Sequence, residues 1–222
     1  MDFGLTPEHI RNGLLSYIFI AASLCMRAYA QAWLADRLGD PTPASEGRLT
    51  LNPIPHVDVW GTVVLPLMCI FFLNPHLNGL WFFLAWAKPV SINPGAFAEP
   101  RKHYLYCLLA QTAISLLIML AASLVGAGIY RLDPNTVSLI MGVITINACL
   151  VVLDLLPIPP LPGALILVNR GWMSEQTYLA MGRWGGLILL IAFQVPAVQS
   201  FFGILRAIVA VPFVLLFNLF AG

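Results

Sequence analysis

The chain has 222 residues, of which 59% are hydrophobic and 9% charged, against about a quarter charged in ordinary soluble domains. With a mean hydropathy of +0.86, this composition excludes a water-soluble globular domain and places the chain in a membrane. A formal net charge of +1 supplies no basic field for nucleic acid, and no such partner is expected.

In chain order, Thr6-Pro7-Glu8 reads as a helix start, with an N-cap hydroxyl, a proline in the first turn and an early acid. Asp2 and Glu8 spoil the basic segment of a cleavable signal, so the first helix is expected to persist. Apolar runs long enough to cross about 30 Å of hydrocarbon occupy 13–35, 61–86, 104–130, 136–156, 177–195 and 198–220. They predict an all-α polytopic fold of roughly six membrane helices in one integral membrane domain, 1–222. The second run is broken by residues 74–79, Asn-Pro-His-Leu-Asn-Gly, which leaves open one broken helix or a helix plus a re-entrant segment. Pro196 divides the last two runs as a tight helical hairpin.

Two connecting segments carry more than linker character. Residues 47–60 alternate as Gly47-Arg48-Leu49-Thr50-Leu51 and continue through His56-Val57-Asp58, predicting a short β-hairpin beside the membrane. Residues 88–103, with Pro89, Pro94, Gly95 and Pro100, predict an irregular or extended loop. Lys88, Arg101 and Lys102 set against Arg37 and Arg48 give only a small charge bias, which leaves the orientation open. Cys25, Cys69, Cys107 and Cys149 all lie in apolar runs without metal-ligand spacing and read as buried thiols. Ser23, Ser115 and Ser123 have no histidine at a partner spacing and no GxSxG turn, so a serine nucleophile is not expected.

Arg27 stands out on physical grounds alone. An arginine in the middle of an apolar helix costs roughly 2.5–3.5 kcal/mol on insertion scales and should face protein or a water-filled cavity. The one acid comparably deep in a predicted span is Asp154. The expected arrangement is a buried Arg27–Asp154 pair with Gln31 completing the hydrogen bonds. The alternative is that Arg27 snorkels to an interface while Asp154 caps the helix before Pro157.

Three stretches resemble a known family. They are GDPTPASEGRLTLNPIPHVDVWGTVVLP at 39–66, AKPVSINP at 87–94 and DLLPIPPLPG at 154–163. Each is similar to a signature stretch of the site-2 proteases, intramembrane zinc enzymes, most of all their short bacterial members. GRWGGLILLIA at 182–192 resembles a further family stretch, so the likeness covers a core of about 13–195, followed by a C-terminal helix at 198–220. Family members run HExxHAW straight into the GDPT turn, and this chain runs RAYAQAWLADRLGDPT. The resemblance therefore puts Arg27 and Gln31 at the two ligand histidines, Ala28 at the general-base glutamate and Pro162 at the third ligand, an aspartate. HExxH needs two imidazoles on one helical face and a carboxylate beside them. Arginine offers no lone pair, glutamine only a weak neutral oxygen, and alanine and proline nothing, so zinc is expected in active relatives and not here.

The resemblance also makes His56 and Asp58 family positions that are not ligands, expected to fix the loop by hydrogen bonds. A relocated metal site drawn from them with Gln31 and Cys25 lacks ligand spacing and a base. His9, His76 and His103 fall near span boundaries and read as interfacial or loop residues. In the third span the family tends to AGPxxN, where AQTAIS stands at 110–115, so Gln111, Thr112 and Ser115 alter packing near the old active site. The resulting expectation is a catalytically inactive protein of the bacterial cytoplasmic membrane. Without cutting, it would bind a membrane or juxtamembrane segment of a partner, among which an active protease relative is included. An active protease with an unusual metal site and a small transporter or channel component remain as alternatives.

Overall fold

A computed structural model describes residues 6–71, 85–159 and 161–222. Among the described residues, four helices are long and apolar enough to cross a membrane. They are α1 (Pro7–Arg37), α4 (Pro100–Leu132), α5 (Val137–Asp154) and α9 (Pro196–Ala221). Shorter helices lie between them: α2 (Thr42–Ser45), α3 (Leu65–Phe71), α6 (Pro162–Asn169), α7 (Glu175–Gly182) and α8 (Gly185–Ala192). The chain is an integral membrane protein, and no strand occurs among the described residues.

Helix α5 is the centre of the bundle. It carries no charged residue until Asp154, and its whole C-terminal half, from Ile146 on, is buried, as expected of a helix apolar on every face. Ile146, Leu150 and Leu153 pack with Ile20 and Leu24 of α1, Leu189 and Phe193 of α8 and its C-cap, and Phe202 of α9. On another side Ile140, Ile144, Ala148 and Val151 meet Met119 and Ala127 of α4 and Phe217 of α9. Gly126 lets α4 approach closely, since a β-carbon there would stand 2.8 Å from Ile140 Cγ2. Ser123 Oγ donates to the Phe213 carbonyl at 2.8 Å, joining α4 to α9. By contrast α9 leaves Ile204, Ile208, Val211, Leu215 and Leu219 exposed at three- and four-residue spacing, a face suited to lipid rather than water.

The fifth predicted span, 177–195, is corrected to two short helices. α7 and α8 have eight residues each, about 12 Å of rise, too short to cross alone. The break at Arg183–Trp184 is packed against the preceding turn. A β-carbon on Gly185 would run into the Pro159 carbonyl oxygen, so only glycine lets α8 lie there.

The second predicted span, 61–86, is described only at its two ends. Its described beginning is a π-helical turn, Val59–Val64, leading into α3. Trp86 N donates to the Gly61 carbonyl at 3.1 Å, and Lys88 N to the His56 carbonyl at 2.9 Å. The two ends of 61–86 are thus hydrogen-bonded neighbours, which one straight helix through the whole stretch would not allow. The Asn74–Gly79 interruption and His76 lie outside the described residues.

The predicted hairpin at 47–60 does not form. Its backbone is bent, passes through a 3-10 turn, Ile54–His56, and enters the π-helical turn at Val59. Asn52 N donates to Thr50 Oγ1 at 3.1 Å and Ile54 N to Asn52 Oδ1 at 3.1 Å. These local turns take the backbone groups that a ladder would need, and Pro53 and Pro55 have no N–H to donate.

The buried Arg48 side chain then fixes the loop. Its Nη1 donates to the Pro55 carbonyl and its Nη2 to the Pro89 carbonyl at 3.3 Å. Loops 38–58 and 85–99 therefore share one end of the bundle, although the sequence had set their charges against each other.

Candidate functional site

The site is organised by a helix end. α1 stops at Arg37, and Gly39 adopts φ of +108°, a left-handed conformation open to glycine. That turn delivers Asp40, fully buried, whose Oδ1 accepts from Thr42 N at 3.0 Å and whose Oδ2 accepts from Asn93 N at 2.7 Å. The GDPT and SINP stretches are in this way tied to one carboxylate. Segment 85–93 has no regular secondary structure, and it lines the cavity beside α1.

That cavity has a volume of about 80 Å³, enough for a few waters. Arg27 and Gln31 of α1, Gln111 of α4, Asp154 of α5 and Pro162 of α6 line it, with Trp86 and Val90. Arg27 and Asp154 are both buried, at 3% and 4% exposure, and the Arg27 Nη2 donates to Asp154 Oδ1. Arg27 Nη1 donates to Ser115 Oγ at 2.5 Å, and Thr112 Oγ1 donates to Asp154 Oδ2 at 2.6 Å. The guanidinium is thus held deep in the bundle, as an ion paired and hydrogen-bonded at both partners should be.

Gln31 does not complete this pair. Its Oε1 accepts from Gln111 Nε2 at 2.7 Å, and the hydrogen bonds to the pair that sequence reasoning gave to Gln31 are made instead by Ser115, to Arg27, and Thr112, to Asp154. Those two stand three residues apart on α4 and so share a face. The signal that could have found them was present, since both belong to the AQTAIS stretch where the family pattern lapses. A second cation inside a span, Arg206 of α9, lies beside Cys149. Deeper still, Asn147 Nδ2 of α5 donates to Ser23 Oγ of α1 at 3.1 Å.

Pro162 is the first residue of α6, where a missing N–H costs nothing. Beside it, a β-carbon on Gly163 would stand 2.8 Å from the Asp154 carbonyl oxygen, so glycine lets α6 begin against the end of α5. Ala28, one residue beyond Arg27, is buried and offers no polar atom. His56 Nε2 meets the Thr50 carbonyl at 2.8 Å. Asp58 caps the π-helical turn by accepting from Gly61 N at 2.6 Å, while Thr62 Oγ1 accepts from Asp58 N and donates to the Trp86 carbonyl. Cys25 Sγ donates to the Leu51 carbonyl. His103 lies beside Phe97 and Glu99.

Zinc sites of the protease type use three or four imidazole, thiolate or carboxylate ligands. Around this cavity stand one carboxylate, already engaged through both oxygens, two amides, the hydroxyls of Thr112 and Ser115 and the phenol of Tyr104. No group of three His, Cys, Asp or Glu placed to hold a metal occurs among the described residues. The donor set does not fit a zinc ion.

No protein-family model matches the chain, and no solved structure does. Among curated proteins the chain is 29% identical over 196 residues to "Putative zinc metalloprotease YwhC" of Bacillus subtilis, covering 82% of each. It is 30% identical over 190 residues to "Putative zinc metalloprotease Rip2" of Mycolicibacterium smegmatis, covering 81% of this chain and 66% of that one. These relatives belong to the site-2 protease family, and the present chain, whose SINP segment and proline-broken helix end meet at one cavity while Asp40 of its GDPT turn holds that segment in place, is a homologue of that family.

Proposed function

We propose that this protein is a non-catalytic site-2-protease homologue that holds a membrane or juxtamembrane segment of a partner protein without cutting it. One observation carries the reading. The Arg27 guanidinium, paired with Asp154 and braced by Ser115, fills the position where the family resemblance would put a zinc ligand. Gln31 and Pro162, the other positions that the resemblance equates with ligands, line the same cavity, which supports that correspondence. Hydrolysis by a metalloprotease needs the metal, its activated water and a base, and Ala28 at the base position supplies no proton acceptor. Holding a peptide needs only a groove and free backbone groups, which the irregular segment 85–93 along the cavity can offer to an extended chain. An active protease relative is one such partner.

The test is elemental analysis of detergent-purified protein beside a variant carrying Arg27→His, Ala28→Glu, Gln31→His and Pro162→Asp. Native protein is expected to hold no stoichiometric zinc, whereas the variant should gain about one zinc per chain, the occupancy of a single three-ligand site. Stoichiometric zinc in the native protein would overturn the reading and restore an active enzyme with a different ligand set.

The membrane is proposed to be the cytoplasmic membrane of a bacterium, and the charges orient the chain in it. Arg37, Arg48, Lys88, Arg101, Lys102 and Arg170 gather at one end of the bundle through the contacts above and the Asn169 bond to the Arg101 carbonyl. Arg11 and Arg131 mark the other end, where Arg131 meets the Ala221 carbonyl. The positive-inside rule assigns the first end to the cytoplasm. A phosphatase fused after Gly222 should therefore be active and a fluorescent protein there dark; the opposite pattern would reverse the orientation.

A further inference from the structure

Away from the Arg27 cavity, the cationic end of the bundle contains a second concave feature. Arg101 and Lys102 open α4, and Arg170 follows α6 directly. Asn169 Nδ2 donates to the Arg101 carbonyl at 2.8 Å, which clamps the two helix ends together. The three cations and Leu105 line a cavity of about 360 Å³. Glu99 neutralises Lys102 through contacts of 3.1 and 3.3 Å. Among the described residues neither Arg101 nor Arg170 has a side-chain partner, and both are exposed. Two unneutralised guanidiniums therefore face one pocket, an arrangement that recognises a phosphate group.

What surrounds the pocket identifies the source of that phosphate. A second cavity of about 470 Å³ shares Arg101 and Asn169 and is walled by Tyr104, Leu165, Val168 and Leu179, with Glu175 also on its rim. A polar anionic pocket thus opens directly onto an apolar one, which matches a molecule with a charged head and a hydrocarbon body rather than a free ion. The location agrees, because the pocket sits where α4 emerges from the bundle. Next to Arg170, Trp172 is 80% exposed, as aromatic residues at the headgroup level of a bilayer often are. Basic pockets between membrane helices commonly hold anionic lipid headgroups.

We propose that Arg101 and Arg170 bind the phosphodiester of an anionic phospholipid, with its acyl chains lying along Leu165 and Leu179. The inference is independent of whether the protein cleaves anything.

It is tested on the full-length protein in a neutral detergent, by following the unfolding midpoint as dioleoyl phosphatidylglycerol is added. Dioleoyl phosphatidylcholine and inorganic phosphate serve as the parallel probes. Phosphatidylglycerol should raise the midpoint saturably, and the other two should not. Each cation near an anionic headgroup changes affinity by about fivefold, so Arg101→Gln with Arg170→Gln should weaken binding by about 25-fold. Arg101→Lys with Arg170→Lys should recover most of it. Both side chains are exposed, so the lipid-free midpoints should match the native protein. If the double glutamine variant does not fold, Arg170→Gln alone should still show the fivefold loss. Inorganic phosphate acting as strongly as phosphatidylglycerol would mean a free-anion site and overturn the proposal. Phosphatidylcholine acting equally, or glutamine variants binding phosphatidylglycerol as the native protein does, would overturn it as well.

Discussion

Arg27→Ala is expected to lower stability by about 3–5 kcal/mol, the usual cost of stranding one partner of a buried ion pair. The loss comes less from the attraction removed than from the carboxylate left behind. Asp154 would remain at 4% exposure with only Thr112 as a hydrogen-bond donor. Combining Arg27→Ala with Asp154→Asn removes that stranded charge, because a neutral amide at 154 still accepts from Thr112. The double variant should therefore be more stable than Arg27→Ala alone, a comparison read from unfolding midpoints in detergent. Equal or greater damage in the double variant would show that the two residues act separately. If Arg27 snorkelled to an interface, the single change would be nearly silent, since an exposed pair is worth only about 0–1 kcal/mol.

Asp40→Ala is the second large effect. Its carboxylate accepts from Thr42 N and Asn93 N, and it is fully buried. Hydrogen bonds to a charged group contribute about 1.5–3 kcal/mol each, so the loss should reach about 3–5 kcal/mol. It should also be local. Amide hydrogen exchange should accelerate around Asn93 and along segment 85–93, while the α5 core, which touches neither residue, stays protected. Asp40→Asn keeps one acceptor and can satisfy only one of the two amides with full strength, so it should fall between. Unchanged exchange at Asn93 in the alanine variant would mean that the cavity wall is held by Arg48 and its carbonyl contacts rather than by Asp40.

How the protein was legible differs between its parts. Four long helices could be read from residue order, because an uninterrupted apolar run of membrane length has few other stable fates. The run at 177–195 was misread for the same reason. Length and hydropathy do not distinguish a crossing from two packed half-helices, and the break at Arg183–Trp184 depends on Gly185 meeting the Pro159 carbonyl. The hairpin at 47–60 was misread because alternation of apolar and polar residues cannot register the side-chain turns of Thr50 and Asn52.

The site divides in the same way. That Arg27 must be buried and accommodated followed from its place in an apolar helix, whose cost leaves it few alternatives. The lapse of the family pattern at AQTAIS pointed to Thr112 and Ser115, but order alone could not show that Ser115 accepts from Arg27 and Thr112 donates to Asp154, since a hydroxyl on an apolar helix has many possible partners. The antiparallel packing of α1 against α4 brings residues 88 positions apart in sequence to 2.5 Å. Segment 61–86 is the sharpest case, because its hydropathy reads as a crossing, while the Trp86 N–H bond to the Gly61 carbonyl makes its two ends neighbours.

By itself, then, the amino-acid order determined that this is a membrane protein of site-2-protease type and that a cation stands in its first span. Those are properties of composition, run length and local motif, which the chain carries whatever its neighbours are. Only the tertiary structure decided which groups surround that cation, which loops share an end, and where two exposed guanidiniums meet an apolar pocket. Each of these depends on contacts between residues distant in sequence, and the free energies involved belong to pairs and clusters rather than to any residue alone.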